Sequence, residues 1–333
     1  MANRSHNSPM VSVVMSVYND EQYVAAAVQS ILAQTFQDFE FIIINDGSTD
    51  QTGEILASFQ DERIRLFDQD NRGLTFSLNR GLSLVRGEFI ARMDGDDISL
   101  PERFAREVAF LDENPEIGLI GTFAYRIDIR GRMVGMYRYP TTPAAIRDNL
   151  RSDCPFCHTS VMFRRACIEK VGPYRERIGP AEDLDLWLRI NEHFDAANLP
   201  EALHSFRIDP YGITVQRRLE QLRASCLARM LAGLRIENGE DPLDKWTEDE
   251  LKSVSDALLP NTPELEKQIR LTNALYLADV FYVTSDFRNS WSWLARYLRE
   301  RPCDRKGWTL MGKLFVKRVL PRRWLKTLMT GRR

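Results

Sequence analysis

The sequence predicts an α/β fold in which a doubly wound, mostly parallel sheet is followed by a helical C-terminal extension. Between residues 11 and 94, four apolar runs of strand length alternate with amphipathic segments of helical spacing. Such alternation with short connections is typical of parallel sheets. From about residue 214 to residue 300 the apolar residues recur at helical spacing only. These patterns place the end of the sheet domain near residue 212.

The bulk composition is that of a globular protein large enough for two domains. The chain has 333 residues, of which 44% are hydrophobic and 28% are charged. No apolar run approaches the roughly 20 residues that cross a bilayer. Five cysteines without a signal peptide indicate reduced thiols. We therefore expect a cytoplasmic protein, with the polar residues 1–9 disordered.

The first half of the predicted sheet is built from four strands, each followed by a polar loop. The strands are predicted at Val11–Val17, Phe39–Ile44, Ile64–Phe67 and Glu88–Met93. In open α/β sheets, ligands bind at the carboxyl ends of the strands. The loops after these strands are therefore the candidate functional site.

Three carboxylates crowd into four positions directly after the fourth strand, at Asp94, Asp96 and Asp97. Like charges this close raise the pKa of at least one carboxyl unless a cation neutralises them. Because Mg²⁺ and Mn²⁺ prefer oxygen ligands, the loop predicts a site for one of these ions. An acidic turn that leads into a helix, with Ser99 as its N-cap, is the alternative.

The second half of the sheet region is less regular. Further strands are predicted at Ile117–Tyr125, Thr159–Phe163 and Glu201–Ile208, with a hairpin turning at Arg130 and Gly131. A segment rich in Gly and Pro, residues 171–180, precedes a helix whose first turn carries Glu182 and Asp183. On that helix, Asp185 and Arg189 are predicted to form a surface i,i+4 ion pair.

Charge is unevenly distributed along the chain. The formal net charge is −2, but residues 305–333 contain ten Lys or Arg and no acid, which leaves −12 on the remainder. Trp308, Met311, Phe315 and Val319 recur there at helical spacing. A basic amphipathic helix with Trp is suited to an anionic membrane surface. A helix that packs on the body and exposes its basic face is the alternative.

Five motifs, in this order and spacing, resemble the family 2 glycosyltransferases of the GT-A fold. They are Val11–Asn19, Asn45–Asp50, Asn71–Gly73 with Asn79, Gly87–Asp97 and Glu182-Asp183. The resemblance covers about residues 10–210. It implies a nucleotide-binding GT-A sheet and the transfer of a sugar from a nucleotide-diphosphate donor, with inversion at the anomeric carbon. It also implies a divalent metal, Mn²⁺ or Mg²⁺.

The resemblance assigns roles by position. Contacts to the donor nucleotide are implied for Ser16, Val17, Tyr18, Asp46, Arg72, Asn79 and Asp94. Asp96, together with Asp94, would ligate the metal, and Asp183 would be the catalytic base that accepts the proton of the acceptor hydroxyl. Acceptor or diphosphate contacts are expected from His158, Glu182 and Arg207. For His158, a place in the core is the alternative.

Two further features of the sequence bear on these expectations. Asp209 stands where the family often has a histidine that helps to bind metal or diphosphate, so metal ligation at that position is left open. The Gln-x-x-Arg-Trp signature of processive synthases is absent from the sequence. Its absence favours the addition of one sugar over polymerisation.

The sequence thus predicts a GT-A catalytic domain at residues 10–212, a helical region at 213–304 and a basic amphipathic tail at 305–333. We expect a UDP-sugar donor and a saccharide or lipid-linked acceptor in surface polysaccharide or glycolipid assembly, with no nucleic-acid partner. The enzyme would be peripheral at the inner face of the membrane. A nucleotidyltransferase that makes nucleotide sugars and a non-catalytic nucleotide-sugar binding module are the alternatives.

Overall fold

The computed structural model describes residues 8–209, 217–259, 262–284 and 286–319, and it confirms the predicted α/β fold. Strands among these residues are β1 (Val11–Val17), β2 (Phe39–Asp46), β3 (Ile64–Gln69), β4 (Phe89–Asp94), β5 (Ile98–Ser99), β6 (Ile117–Ile127), β7 (Met133–Tyr137), β8 (Met162–Arg164) and β9 (Asp195–Arg207). They form one sheet in the order β3-β2-β1-β4-β8-β6-β9-β5, with β7 paired to β6.

The sheet is mostly parallel. Strands β3, β2, β1 and β4 run parallel, as do β6 and β9, whereas β8 is antiparallel to both of its neighbours. Ser16 of β1 lies opposite Ile44 of β2 on one side and Asp94 of β4 on the other. The carboxyl ends of these strands therefore meet at one edge of the sheet, as the sequence predicts.

Helices cover both faces of the sheet. The described helices are α1 (Val24–Leu32), α2 (Thr52–Ala57), α3 (Leu74–Ser83), α4 (Arg103–Glu113), α5 (Pro143–Leu150), α6 (Arg165–Val171), α7 (Glu182–Asn191), α8 (Arg218–Asn238), α9 (Glu248–Leu258), α10 (Pro263–Val283), α11 (Phe287–Glu300) and α12 (Arg305–Val319). Val14 packs in a core with α3 and α7, whereas Val13 and Met15 pack in a second core with α1 and α4. Because successive strand residues face opposite sides, the sheet is doubly wound.

Some predicted bounds and one predicted cap are wrong. The strand expected from Thr159 begins only at Met162, after a short 3-10 turn, and the last strand begins at Asp195. Ser99 does not cap α4, because it lies in β5. Instead, the side chain of Gln34 accepts the Phe104 backbone N–H at 3.1 Å. This cap comes from a residue distant in sequence, which no local pattern indicates.

The described residues divide into two compact units. The first comprises those within Met1–Ile127, Gly135–Arg207 and Glu220–Leu258, and the second those within Asp128–Val134, Ile208–Leu219 and Leu259–Arg333. The second unit has its own apolar core, in which Leu271 of α10, Leu294 of α11 and Leu314 of α12 are buried. Among the described helices, none combines the length and apolar character needed to span a bilayer. Residues 1–7 and 210–216, where the predicted disorder and the boundary near 212 partly fall, lie outside the described residues.

Candidate active site

The acidic loop after β4 brings three carboxylates together. Oxygen atoms of Asp94, Asp96 and Asp97 all lie within 4.8 Å of one another. Burial raises the pKa of Asp96 well above its usual range, and the charges of Asp97 and Asp94 raise it further. Burial also raises the pKa of Asp94. A divalent cation with oxygen ligands relieves such repulsion, so this set of donors fits Mg²⁺ or Mn²⁺.

Asp97 differs from its two neighbours because its carboxylate is buried and engaged with β9. Its Oδ2 lies 2.8 Å from His204 Nε2, and its Oδ1 accepts the Arg207 backbone N–H at 2.7 Å. Arg207 also donates from Nε to the Asp96 carbonyl at 2.6 Å. Strand β9 therefore holds the loop. The carboxylates of Asp94 and Asp96 are half-buried, and that of Asp94 forms an ion pair with Arg92.

A fourth carboxylate, that of Asp20, lies beside the acidic loop. A Cβ atom placed on Gly95 would stand 2.6 Å from Asp20 Oδ2, so the approach in its present form requires a glycine. Burial raises the pKa of Asp20 to about 6; the Tyr18 N–H lowers it, and the charge of Asp94 raises it. Asp20 was not among the residues predicted for the site. Its position, three residues after a strand that ends at the site edge, was the available signal.

The nucleotide side of the predicted site is organised by Asp46 at the end of β2. Its carboxylate accepts the backbone N–H groups of Arg72 at 2.9 Å and Gly73 at 2.8 Å, and the Gln69 side chain at 2.6 Å. The exposed Arg72 guanidinium lies 3.6 Å from the centre of the Phe76 ring. Asp46, which is 2% exposed, thus fixes the turn that carries Arg72.

The loops after β1 and β2 are joined by hydrogen bonds of Asn19. Its backbone N–H donates to Ser48 Oγ at 3.0 Å, and its side chain accepts the Thr49 N–H at 2.8 Å. The backbone of Asn19 is left-handed, with φ of 56°, a conformation that asparagine tolerates better than most residues. Beside it, Tyr18 is 48% exposed, while Ser16 and Val17 are buried in β1.

Asn79, another predicted donor contact, is bound to the chain itself. Its Nδ2 donates to the Tyr174 carbonyl at 2.9 Å, and its Oδ1 accepts the Tyr174 N–H at 3.0 Å. This two-point contact ties α3 to the Gly- and Pro-rich segment that leads to α7. A direct contact between Asn79 and the donor stays a prediction.

The acid pair Glu182-Asp183 opens α7. Glu182 is 8% exposed, and burial, then the charge of Asp183, raise its pKa to about 8. Burial also raises the pKa of Asp183, whose half-buried carboxylate accepts the Leu184 N–H at 2.7 Å. Both carboxyl groups therefore hold a proton more readily than free acids, and the access of Asp183 suits it to proton transfer.

The predicted surface pair of Asp185 and Arg189 is buried, so that prediction is wrong. Asp185 is 0% exposed and accepts from Arg189 Nε at 3.0 Å and from Arg175 Nε at 3.0 Å. Arg189 also donates to the carbonyls of Val171 and Pro173, at 2.6 and 2.8 Å. The network anchors the first half of the Gly- and Pro-rich segment to α7. The burial of the pair depends on this tertiary packing, which the i,i+4 spacing does not reveal.

The two basic residues among the expected acceptor or diphosphate contacts lie in different surroundings. His158 packs among aromatic rings, with Nε2 3.2 Å from the Tyr174 hydroxyl and its ring centre 5.9 Å from that of Trp187. Burial lowers the pKa of His158 well below its usual range, so the imidazole is neutral. Arg207 is 7% exposed, and its guanidinium lies 4.2 Å from the centre of the Tyr23 ring.

Arg92, Tyr174 and His204 belong to the site region, although they were not among the predicted site residues. His204 positions Asp97, and Tyr174 links Asn79 to His158. Arg92 alone carried a sequence signal, since a charged residue within a buried strand is unusual.

Comparison with known proteins agrees with this geometry. The sequence model described as Glycosyl transferase family 2 matches residues 12–172. The putative glycosyltransferase EpsE of Bacillus subtilis is 37% identical over 214 residues, which cover 61% of this chain and 75% of that protein. The O-antigen biosynthesis glycosyltransferase WbnJ of Escherichia coli is 33% identical over 207 residues, which cover 60% of this chain and 80% of that protein.

Solved structures of low sequence identity share the fold. TarS of S. aureus, crystallised with UDP, has a TM-score of 0.55 at 16% identity, over 88% of this chain and 92% of that one. The mannosyltransferase PcManGT from Pyrobaculum calidifontis, in complex with GDP-Man and Mn²⁺, has a TM-score of 0.54 at 18% identity, over 94% of this chain and 87% of that one. Together with the sequence matches, these likenesses lead to one conclusion: the chain belongs to glycosyltransferase family 2 and has the GT-A fold.

Proposed function

We propose that this chain is an inverting, metal-dependent glycosyltransferase that moves one sugar from a nucleotide-diphosphate-sugar donor to a hydroxyl of a saccharide or lipid-linked acceptor. A UDP-sugar is the favoured donor. The observation that carries the proposal is the electrostatic proximity of two acidic groups. Besides burial and Asp183, the charge of Asp94 raises the pKa of Glu182, which supports a single site formed by the loop after β4 and the start of α7.

The donor nucleotide would lie across the ends of β1, β2 and β4. Asp46 orders the turn at Arg72, and Arg72 stacks on Phe76, which supports a flat surface for the base. Tyr18, directly after β1, is exposed and offers a second ring. The backbone at Ser16 and Val17, Asn79 and the carboxylate of Asp94 complete the proposed donor contacts.

The metal would be held by Asp94 and Asp96, with Mn²⁺ or Mg²⁺ as the ion. These half-buried carboxylates repel each other, which supports a bound cation. When bound, such an ion neutralises charge that develops on the leaving diphosphate. Asp97 and Arg207 hold the loop in place, and Arg207 is also the proposed diphosphate contact.

Asp183 would act as the base. Inversion requires direct attack by the acceptor hydroxyl, and one carboxylate suffices to accept its proton as the new bond forms. Asp183 is half-buried, so it combines access with a raised pKa. Glu182, whose pKa burial raises to about 8, would keep its proton and donate a hydrogen bond to the acceptor or the diphosphate.

The acceptor and the location are proposed from relatives and from the charge pattern. WbnJ is named for O-antigen biosynthesis, which supports an acceptor in surface polysaccharide or glycolipid assembly. In α12, Arg305, Lys306 and Lys313 are exposed and Trp308 is 53% exposed. These residues support a contact between α12 and the anionic inner face of a membrane. We further propose residues 10–212 as the catalytic domain, followed by the helical region 213–304 and the basic tail.

The proposal is tested by a thermal-shift screen of UDP, GDP, CDP and dTDP with and without Mn²⁺, followed by release of nucleoside diphosphate from the matching sugar donors. A ligand that binds only the native state raises the melting temperature. The proposal expects a Mn²⁺-dependent shift that Asp96→Ala abolishes and that Asp148→Ala, at an exposed position of α5, retains. A shift without any donor turnover would favour a non-catalytic binding module instead.

A further inference from the structure

Arg92 is a buried cation on β4 that the proposed roles do not use. Its side chain is 2% exposed, donates to the Met93 carbonyl and forms an ion pair with Asp94. Its Nε has no hydrogen-bond partner in the described part of the chain. A buried cation is costly unless it is well paired. Packing alone therefore does not explain an arginine at this position.

The strand geometry directs Arg92 toward α7. Alternate residues of a strand share a face, so Ile90, Arg92 and Asp94 point to the same side of β4. Ile90 packs in the core that also contains Leu184 and Trp187 of α7. Arg92 thus lies on the face that α7 covers, two residues before Asp94 at the end of the strand.

The electrostatic neighbours of the acid pair come from several elements. Its charged neighbours are Arg92 and Asp94 from β4 and Asp185 from α7 itself, and the uncharged titratable ones are Tyr174 and Cys154. Burial raises the pKa of both Glu182 and Asp183, whereas the charge of Arg92 lowers it in each. Among these neighbours Arg92 is the cation, so it opposes the effect of burial.

We infer that Arg92 is a positioning residue with two partners: it orients Asp94 toward the nucleotide, and it places a buried positive charge beside the Glu182-Asp183 pair at the start of α7. The inference rests on the proposed function for the roles of Asp94 and Asp183. The proposed link between β4 and α7 involves only residues of the chain, so it can be tested without substrate or metal.

The experiment follows the titration of the Glu182 and Asp183 side-chain carboxyl carbons by NMR in the metal-free, full-length protein. Glu182→Gln and Asp183→Asn assign the two signals. Arg92→Gln removes the charge and keeps a hydrogen-bond donor, and Arg92→Lys keeps the charge. Arg92→Met, of similar length, replaces Arg92→Gln if that variant does not fold. Melting temperature and near-ultraviolet circular dichroism verify the fold of each variant.

The matched control removes another buried arginine. Arg103 is 0% exposed, donates to the Arg92 and Val161 carbonyls at 3.1 and 3.0 Å, and pairs with Glu107. Arg103→Gln is combined with Glu107→Gln, so that no unpaired charge remains. This double variant disturbs the same core but leaves the charge of Arg92 in place.

In Arg92→Gln, the midpoints of the pair should rise by about one pH unit or more, the usual effect of losing a nearby opposite charge. In Arg92→Lys and in the control they should stay within about half a unit of wild type. Unchanged midpoints in a folded Arg92→Gln or Arg92→Met variant, or an equal rise in the control, would overturn the inference. Because no turnover is measured, this result is independent of whether Asp183 proves to be the base.

A kinetic split tests the orientation of Asp94. With the active donor identified, Arg92→Lys should raise KM for the donor severalfold while the acid limb of the pH–rate profile stays in place. Arg92→Gln should raise KM and also move that limb to higher pH. Equal donor KM in wild type and Arg92→Lys would show that Arg92 does not orient Asp94.

Discussion

The carboxylate of Asp20 lies against Gly95, across the gap between the loops that follow β1 and β4. A Cβ on Gly95 would meet Asp20 Oδ2 at 2.6 Å and Val17 Cγ1 at 2.8 Å. Atoms in proteins do not pack this closely, so either the acidic loop or the side chains of Asp20 and Val17 must shift if the position carries a side chain. Asp20 and the Asp94–Asp97 loop therefore form one acidic surface that depends on a glycine.

We predict that Gly95→Ala weakens Mn²⁺-dependent UDP binding at least tenfold, because the added methyl group displaces the carboxylates that would hold the ion. The control is Gly233→Ala in α8, where the added Cβ meets no atom within 4 Å and should leave binding unchanged. Titration calorimetry measures both affinities. Equal affinity of Gly95→Ala and wild type would contradict the proposed role of the loop.

We predict that Asp185→Asn lowers the free energy of unfolding by about 3–5 kcal/mol, the range for breaking a buried ion pair. The variant leaves Arg175 and Arg189 without the anion that both contact. Denaturant unfolding of both proteins measures the loss. Asp183→Asn is the control, since the asparagine oxygen still accepts the Leu184 N–H. Equal midpoints for the two variants would show that Asp185 is not an anchor of α7.

We predict a pH-dependent stability difference at Glu182, whose pKa burial and Asp183 raise to about 8. A raised pKa means that the folded state binds the proton more tightly than the unfolded chain, whose carboxyl has a pKa of about 4.3. The stability that Glu182 contributes through this bound proton is therefore present at low pH and is lost as pH rises from about 4 towards about 8. Glu182→Gln does not titrate and lacks this loss.

The measurement compares thermal midpoints of wild type and Glu182→Gln at pH 5 and pH 9 without metal. The thermal midpoint of the variant minus that of wild type should be larger at pH 9 than at pH 5. Glu113→Gln, at an exposed position of α4, should show no such difference. A Glu182→Gln midpoint that parallels wild type across this range would refute the raised pKa.

We predict that replacing exposed residues of α12 reduces sedimentation with anionic liposomes at low salt more than tenfold. The variant combines Trp308→Ser, Lys306→Gln and Lys313→Gln, because each basic residue near such a surface contributes about 1 kcal/mol. It keeps Leu310 and Leu314, which are buried in the second unit. UDP binding should be unchanged.

The control for this variant carries the same loss of charge at two exposed lysines of the first unit, Lys170→Gln with Lys252→Gln. An equal loss of sedimentation in the control would indicate a non-specific effect of net charge. A wild-type protein that stays in the supernatant with anionic vesicles would reject the membrane contact itself.

Local patterns in the sequence predicted the strands and the loops at their ends. The first strand begins and ends where expected, at Val11 and Val17, because an apolar run bounded by polar residues determines it. The hairpin turn at Gly131, with φ of 74°, follows from a residue that tolerates this conformation. The acidic loop after β4 was identified for the same reason, since charge density is visible in sequence.

Contacts between distant residues were not predictable in this way. Gln34 caps α4 from 70 positions away, and Asn79 binds Tyr174 across 95 positions. The i,i+4 spacing of Asp185 and Arg189 was visible, but their burial depends on packing around α7. The position of Asp20 after the first strand was visible in the sequence, but its close approach to Gly95 depends on the packing of two loops.

The measurement that tests the central claim most directly is the rate of sugar transfer by Asp183→Asn with the active donor and acceptor. The variant keeps the size of the side chain and its bond from the Leu184 N–H but cannot accept a proton. We predict that kcat falls by roughly 10²–10⁴-fold, the usual scale of general base catalysis, while Mn²⁺-dependent UDP affinity stays near that of wild type. Transfer at a near wild-type rate by the folded variant would contradict the assignment of Asp183 as the base.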